Sequence, residues 1–469
     1  MQIPILNGIY TDDSPGLRTS YPINMIPVPK KSGVSNGFLR PADGLVANGF
    51  GPGVDRGGIN WNGVCYRVMS TKLVSVASNG AVTELGDVGG SAGDLVTMDY
   101  SFDRLAIASG GGLYYWSPSL GLAQVTDTDL GTVLDVLWVD GYFMTTDGTS
   151  LVVTELNDPL AVNPLKYGSS EVDPDPVLAL LKLRNEVYAL NRYTIEVFDN
   201  VGGELFPFQR IDGAQITKGV IGAFACCVYV DAIAFLGSGR NEEPGIYLGA
   251  SASVQKISTQ EIDQLLAQFS ESDLATVKLE ARNDKNHQHL YIHLPDRTVV
   301  YDAAASEALG EPVWFTLTTS VVGFSQYRAR NLVWAYDKWL IGDPQSSAVG
   351  YMTDATGEHW GQVVRWEFGT LIVYADGNGA IFNELELVAL TGRVALGKDP
   401  FISTSYSVDG LAWSQDRPIR VGGIGNTRKR LVWLQQGHMR HWRIQRFRGT
   451  SDAHLSFMRL EAQIEALAH

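Results

Sequence analysis

The chain has 469 residues, 45% of them hydrophobic, and a formal charge of −15. That is apolar matter for two or three packed domains, and a charge of the wrong sign for a general nucleic-acid binder. Three cysteines, two of them adjacent as Cys226 and Cys227, argue against a disulfide framework.

The 50 glycines exceed the usual share of about 7% and predict many tight turns. The opening residues, MQIPILNGIY, have neither the charged region nor the long apolar run of a secretory leader. No stretch approaches the ~18 apolar residues of a membrane span. The expectation is a protein made in a reducing compartment and not held in a membrane.

Residues 1–45 carry prolines at Pro4, Pro15, Pro22, Pro27, Pro29 and Pro41. Proline fixes φ and removes a donor, so Tyr21–Pro29 can be neither a helix nor a central strand. An extended arm is predicted, with Ile23, Met25, Ile26 and Val28 lying on the body or on a neighbouring subunit.

Residues 46–354 repeat. Short extended runs begin near Ile59, Val96, Leu134, Val177, Ala225, Val277 and Val322, at intervals of 37, 38, 43, 48, 52 and 45 residues. Units of ~40–50 residues with several strands each have the spacing of β-propeller blades. Six or seven blades are predicted, each burying its faces against its neighbours.

The clearest unit is Asn286–Thr316. In an extended reading Leu290 and Ile292 point one way, and His287, His289, Tyr291 and His293 the other. Leu294–Arg297 turns the chain, Thr298–Tyr301 returns, and Val313–Phe315 follows as a third strand. A helix is expected just before this unit. Ser258–Glu261 has the letters of a capping box, with Ile262, Leu265, Leu266 and Phe269 on one face.

Residues 355–469 break the interval. Strands are predicted at Val363–Phe368, Ile381–Leu390, Phe401–Val408, Arg430–Leu434, His441–Phe447 and His454–Ile464. Turns at Asp376–Gly379, Asp409-Gly410 and Gly422-Gly423 separate several of them. The fold class is therefore all-β: a propeller with an extended N-terminal arm and a C-terminal β-sandwich.

Catalytic motifs are weak. His287, His289 and His293 share a strand face, and H-x-H can hold a metal. No cysteine or carboxylate stands at ligand spacing in the same strand, so a solvated or interface face is the expectation, with no metal. Asp173-Pro-Asp-Pro176 reads as a turn rather than a facing carboxylate pair. Gly89–Gly93 fits G-x-S-x-G in letters, but a Gly-rich turn precedes it and a strand follows. Ser407–Trp413 resembles one sialidase Asp-box, one residue short. No P-loop, H-E-x-x-H or strand-linked G-x-G-x-x-G occurs. The expectation is a non-enzyme without a cofactor.

Charge is segregated late in the chain. Arg417–Arg459 holds ten Lys or Arg and a single acid, Asp452, so that window is +9 and the rest of the chain −24. Within it Arg428, Lys429, Arg430, Arg440, Arg443, Arg446 and Arg448 are the candidate partner interface. They suit docking on an acidic surface of a neighbouring copy or an adjoining ring.

Several stretches taken together resemble a known family. They are Tyr21–Pro29; Ser35–Arg40 with Asp43–Leu45; Val64–Val68; Glu84–Gly90; His289–Pro295 with Val299–Asp302; Lys429–Trp433; and Leu460–Glu465. In order and spacing they resemble the packaged-DNA stabilisation proteins, or tail accessory factors, of P22-type short-tailed phages.

That resemblance implies a virion protein, made in the host bacterial cytoplasm and built into the tail as a hub ring, commonly of six copies. The ring would dock below the head-to-tail adaptor and portal. It would help close the channel on packaged DNA, receive the tail needle and hold tailspikes or fibres. Encapsidated DNA would pass through without sequence-specific binding, and negative walls repel phosphates. The alternative left open is a carbohydrate-acting, sialidase-like propeller or a glycan-binding one.

Overall fold

The computed structural model describes residues 2–6, 22–30, 35–156, 158–374, 379–409 and 412–467. The parts of the predicted arm at 1, 7–21 and 31–34 lie outside the described residues. So do most of the predicted turn at Asp376–Gly379 and Gly410 of the turn after Asp409.

Seven antiparallel sheets form a β-propeller. Their inner strands are Asp55–Trp61, Thr97–Tyr100, Asp135–Val139, Val177–Leu183, Cys226–Tyr229, Lys278–Asp284 and Arg330–Ala335. Each packs on the next, and the seventh packs back on the first. Hairpins link the strands within a blade. At Asn62-Gly63 (φ 51° and 79°) and Asp140-Gly141 (48° and 91°) both central residues hold positive φ. Type I′ turns require this, and Asn-Gly and Asp-Gly supply it.

The seventh blade takes its outer strand from the other end of the domain. Gly44–Phe50 pairs antiparallel with Ala348–Thr353, which ties the first propeller strand to the last. Carboxylates stitch the inner strands across blade boundaries. Asp99 accepts from the Trp138 amide at 2.6 Å and Asp135 from the Leu180 amide at 2.7 Å. Glu280 accepts from the Asn331 and Leu332 amides, both at 3.0 Å. At the closure Arg67, fully buried, donates to Asp55 at 2.9 Å and to the Asn331 carbonyl at 3.0 Å. Such bonds satisfy backbone donors that a wedge of separate sheets would otherwise leave bare.

The C-terminal unit is a two-sheet sandwich. One sheet runs in the order Met25–Pro29, Gly37–Pro41, Ser456–Ala466, Ala380–Leu390, Leu431–Leu434; the other runs Arg365–Gly369, Trp442–Thr450, Phe401–Ser407, Arg417–Arg420. Between them lie Trp366, Phe368, Phe447 and Phe457 with Ile3, Ile5, Met25 and Leu39.

The described part of the arm is therefore a hairpin, paired from Met25↔Pro41 to Pro29↔Gly37. Met25–Pro29 is the edge strand, where the missing donors of Pro27 and Pro29 break no ladder. Ile23, Met25 and Ile26 are buried and Val28 half-buried. Successive side chains on a strand alternate. Met25 thus enters the sandwich core while Ile26 enters a propeller core with Leu45, Tyr291 and Phe315.

The helix before blade six spans Gln260–Leu266 and begins one residue later than its letters suggest, with Thr259 at the N-cap. Ser258 instead accepts from the Ile246 amide and donates to Asp263 at 2.6 Å. The capping box closes on the next helix, Glu271–Leu274, between Ser270 and Asp273. Ile262 and Leu266 are buried in the core, as their spacing implies.

Candidate functional site

The basic block is dispersed rather than gathered. Arg428, Lys429 and Arg440 are exposed and enter none of the ion pairs formed among the described residues. Arg430 is exposed too, but pairs with Glu386 at 2.5 Å and Glu384 at 3.3 Å on the adjoining strand. Arg448 pairs with Asp416. Arg446 lies over the Trp413 ring, 3.8 Å from its centroid, and donates to Ser405.

Arg443 cannot meet a partner, because it is fully buried. Its guanidinium lies between Phe382 and Tyr406, 4.2 and 4.0 Å from their centroids, and donates to the Gln436 carbonyl and to Gln445. Burial pushes its pKa down to about 10. The alternation Trp442, Arg443, Ile444 does not predict this. The planar cation is accommodated by stacking on aromatics on both sides.

Arg428 and Arg440 also stand at opposite ends of one edge. The edge strand is anchored by Leu387↔Leu431 near Arg428, and Ala380↔Met439 sits beside Arg440. Seven residues of extended chain separate those anchors, roughly 23 Å at ~3.3 Å per residue. The candidate interface is thus a charged sheet edge, not a compact patch.

The histidine face is buried, not solvated. His287, His289 and His293 are 7%, 0% and 1% exposed. The strand His287–His293 is covered on both sides: Leu290 and Ile292 face one cluster, and Tyr291 faces another with Ile26 and Ile341. The carboxylates missing from this strand come from its two neighbours. Asp302 lies opposite His289 in register, and its Oδ2 is 2.5 Å from His287 Nδ1 and 3.4 Å from His289 Nε2. Glu280 lies 3.0 Å from His293 Nε2, and Thr298 lies 2.9 Å from its Nδ1.

Burial alone would raise the Asp302 carboxyl. The hydrogen bond with His287 and the charge of both imidazoles outweigh it and hold the group well below the usual carboxylate range. Burial pushes His289 and His293 down, against the pull of Asp302 and Glu280. The sequence did carry a signal for Asp302: a four-residue connection from His293 to Thr298 fixes the register that sets 289 against 302.

The other motifs resolve as turns. Gly89 and Gly90 hold positive φ (64° and 83°), and a Cβ on Gly90 would stand 2.3 Å from Arg56 Nη2. Ser407 and Asp409 bond at 3.0 Å and Asp409 accepts from the Ala412 amide at 2.8 Å, pinning a hairpin end. Asp173 pairs with Arg240, while Asp175 accepts from the Tyr193 amide. A cavity of about 340 Å³ is lined by residues in or beside the inner strands of blades two to six, among them Asp99, Asp135, Lys182 and Lys278. That volume suits a small molecule, not a duplex.

Comparison with known proteins places both domains. Residues 1–357 match the family described as Bacteriophage P22 Gp10, beta-propeller, and residues 365–465 match Bacteriophage P22 Gp10, beta-sandwich. The tail hub protein gp10 of Salmonella phage P22 is 26% identical over 465 residues, 94% of each chain. Among solved structures, the Pan2 WD40 domain of Neurospora crassa covers 66% of this chain and 95% of its own at 9% identity, with a TM-score of 0.42. The N-terminal domain of Nup159 covers 72% of this chain and all of its own at 8% identity, with a TM-score of 0.40.

Proposed function

The chain belongs to the bacteriophage P22 Gp10 family and is a structural phage tail hub protein, and from that premise we propose its place in the particle. Several copies close into a ring below the portal and its head-to-tail adaptor. The ring narrows the DNA exit, receives the tail needle, and holds tailspikes or fibres at its side.

The observation that carries this reading is the match to a tail hub protein along 94% of both chains. Charge supports it. A body of −24 outside one basic window repels phosphate, so a bore lined by several such bodies passes DNA without gripping it. That bore is the space between copies. The sandwich edge bearing Arg428, Lys429 and Arg440 is the surface assigned to docking on an acidic neighbour.

The test is the triple reversal Arg428→Glu, Lys429→Glu, Arg440→Glu, which touches no buried group. A folded variant with weakened binding to the adaptor–portal complex, and a wild-type interaction that fades with salt, supports edge docking. Unchanged assembly removes the edge from the interface.

A further inference from the structure

The Asp302 carboxylate divides its work between two oxygens. Oδ1 accepts from the Ala305 amide in the first turn of the helix Ala303–Leu309 and from the Gln288 amide, both at 3.2 Å. That fixes the group and leaves Oδ2 facing two imidazoles. His287 and His289 stack at 5.0 Å between centroids, tilted by 27°. One donor atom from each of the three residues lies within 4.8 Å of the others.

A hydrogen bond explains only one of the two rings. His287 Nδ1 meets Oδ2 at 2.5 Å. His289 is fully buried, yet neither ring nitrogen has a hydrogen-bond partner; its Nε2 stands 3.4 Å from Oδ2 without alignment. A buried imidazole carries an N–H and a lone pair, and leaving both unmet is costly. Imidazole, imidazole and carboxylate on one face is a donor set for a divalent transition metal, with zinc the best match.

We propose that His287, His289 and Asp302 form a metal site that binds zinc and clamps the two strands and following helix of blade six. The ion takes the lone pairs of His287 Nδ1, His289 Nε2 and Asp302 Oδ2, with solvent in the fourth position. The proton shared between His287 Nδ1 and Asp302 moves to Nε2 of the same ring, so no oxidant or reductant is involved. His289 keeps its proton on Nδ1. Donor atoms on zinc stand about 3.3 Å apart, so the His287–Asp302 pair opens on binding while His289 is already at that distance. This site lies inside one blade and does not depend on the ring reading.

The experiment uses the full chain, stripped with chelator and then titrated with zinc chloride by calorimetry and thermal unfolding. The expected result is about one zinc per chain and a raised Tm, both lost in His289→Gln and kept in the surface variant His438→Gln. Zinc that leaves Tm unmoved, or binding unaltered in a folded His289→Gln, overturns the proposal. If His289→Gln does not fold, cobalt loading of the wild type decides. Visible bands of a nitrogen–oxygen site support the assignment. Their absence, or thiolate charge transfer pointing to Cys226 or Cys227, refutes it.

Discussion

At the scale of single residues, the buried polar groups do the joining. Arg67 and Asp55, 0% and 1% exposed in their side chains, sit at the boundary where blade seven meets blade one. Removing one member of such a pair leaves an uncompensated buried charge. Asp55→Ala should therefore destabilise the propeller by about 3–5 kcal/mol, read as a lower midpoint in urea at unchanged slope. A loss under about 1 kcal/mol would mean that Asn331 and solvent replace the pair. His359 gives a pH signature. Burial, helped by Arg328, pushes its pKa down to about 3, whereas the unfolded chain titrates near 6.5. Between those values only the unfolded state binds the proton, so stability falls as pH falls, by up to ~1.4 kcal/mol per unit. His359→Gln should flatten the stability profile between pH 6.5 and about 4, and an identical profile would contradict the shift. None of these environments was legible in the sequence. Arg443 reads as one more surface arginine until Phe382 and Tyr406 arrive from strands remote in the chain.

At the scale of elements, period and turn chemistry were legible because both are local. Six of the seven predicted unit starts fall within a residue of an inner strand or inside one, as Leu134 does before Asp135–Val139. Val322 does not: it is exposed in a connecting loop, and the seventh inner strand begins at Arg330. An apolar Val321-Val322 pair reads as a strand start when burial is unknown. The arm's partner was equally hidden, since its neighbour Phe457 is some 400 residues away and pairs through Leu39. This connection makes a sharp prediction. Deleting residues 1–41 removes Ile3, Ile5, Ile23, Met25, Ile26 and Leu39, all buried, each worth about 1.5–3 kcal/mol. The sum is on the order of the whole stability of a domain. The truncated chain should lose the cooperative unfolding of its sandwich by circular dichroism and calorimetry. Retention of a wild-type transition would show that the hairpin is only an attachment.

At the scale of the whole molecule, the sequence marked a segregation of charge but not its layout. Several cations of the basic window are neutralised by nearby acids, as Arg430 is by Glu386 on the adjoining strand and Arg420 by Asp399 in the preceding loop. Arg443 and Arg446 lie against aromatic rings instead, while Arg428, Lys429 and Arg440 stand exposed along a sheet edge, where charge also deters unwanted strand pairing. Edge charges govern encounter more than final affinity, so the reversal variant should slow association chiefly at low salt. Stopped-flow or biolayer rates at two ionic strengths would check this, and a loss seen only in dissociation would contradict it.

In the proposed role this acidic, β-rich chain works as one unit of a closed ring in the tail. Electron microscopy of the purified protein mixed with its adaptor–portal complex tests it most directly. The predicted result is a symmetric ring of several copies seated on the adaptor, with an open bore between subunits. Single copies scattered on the complex without closure, or a protein that ignores it and attaches to cells instead, would contradict it.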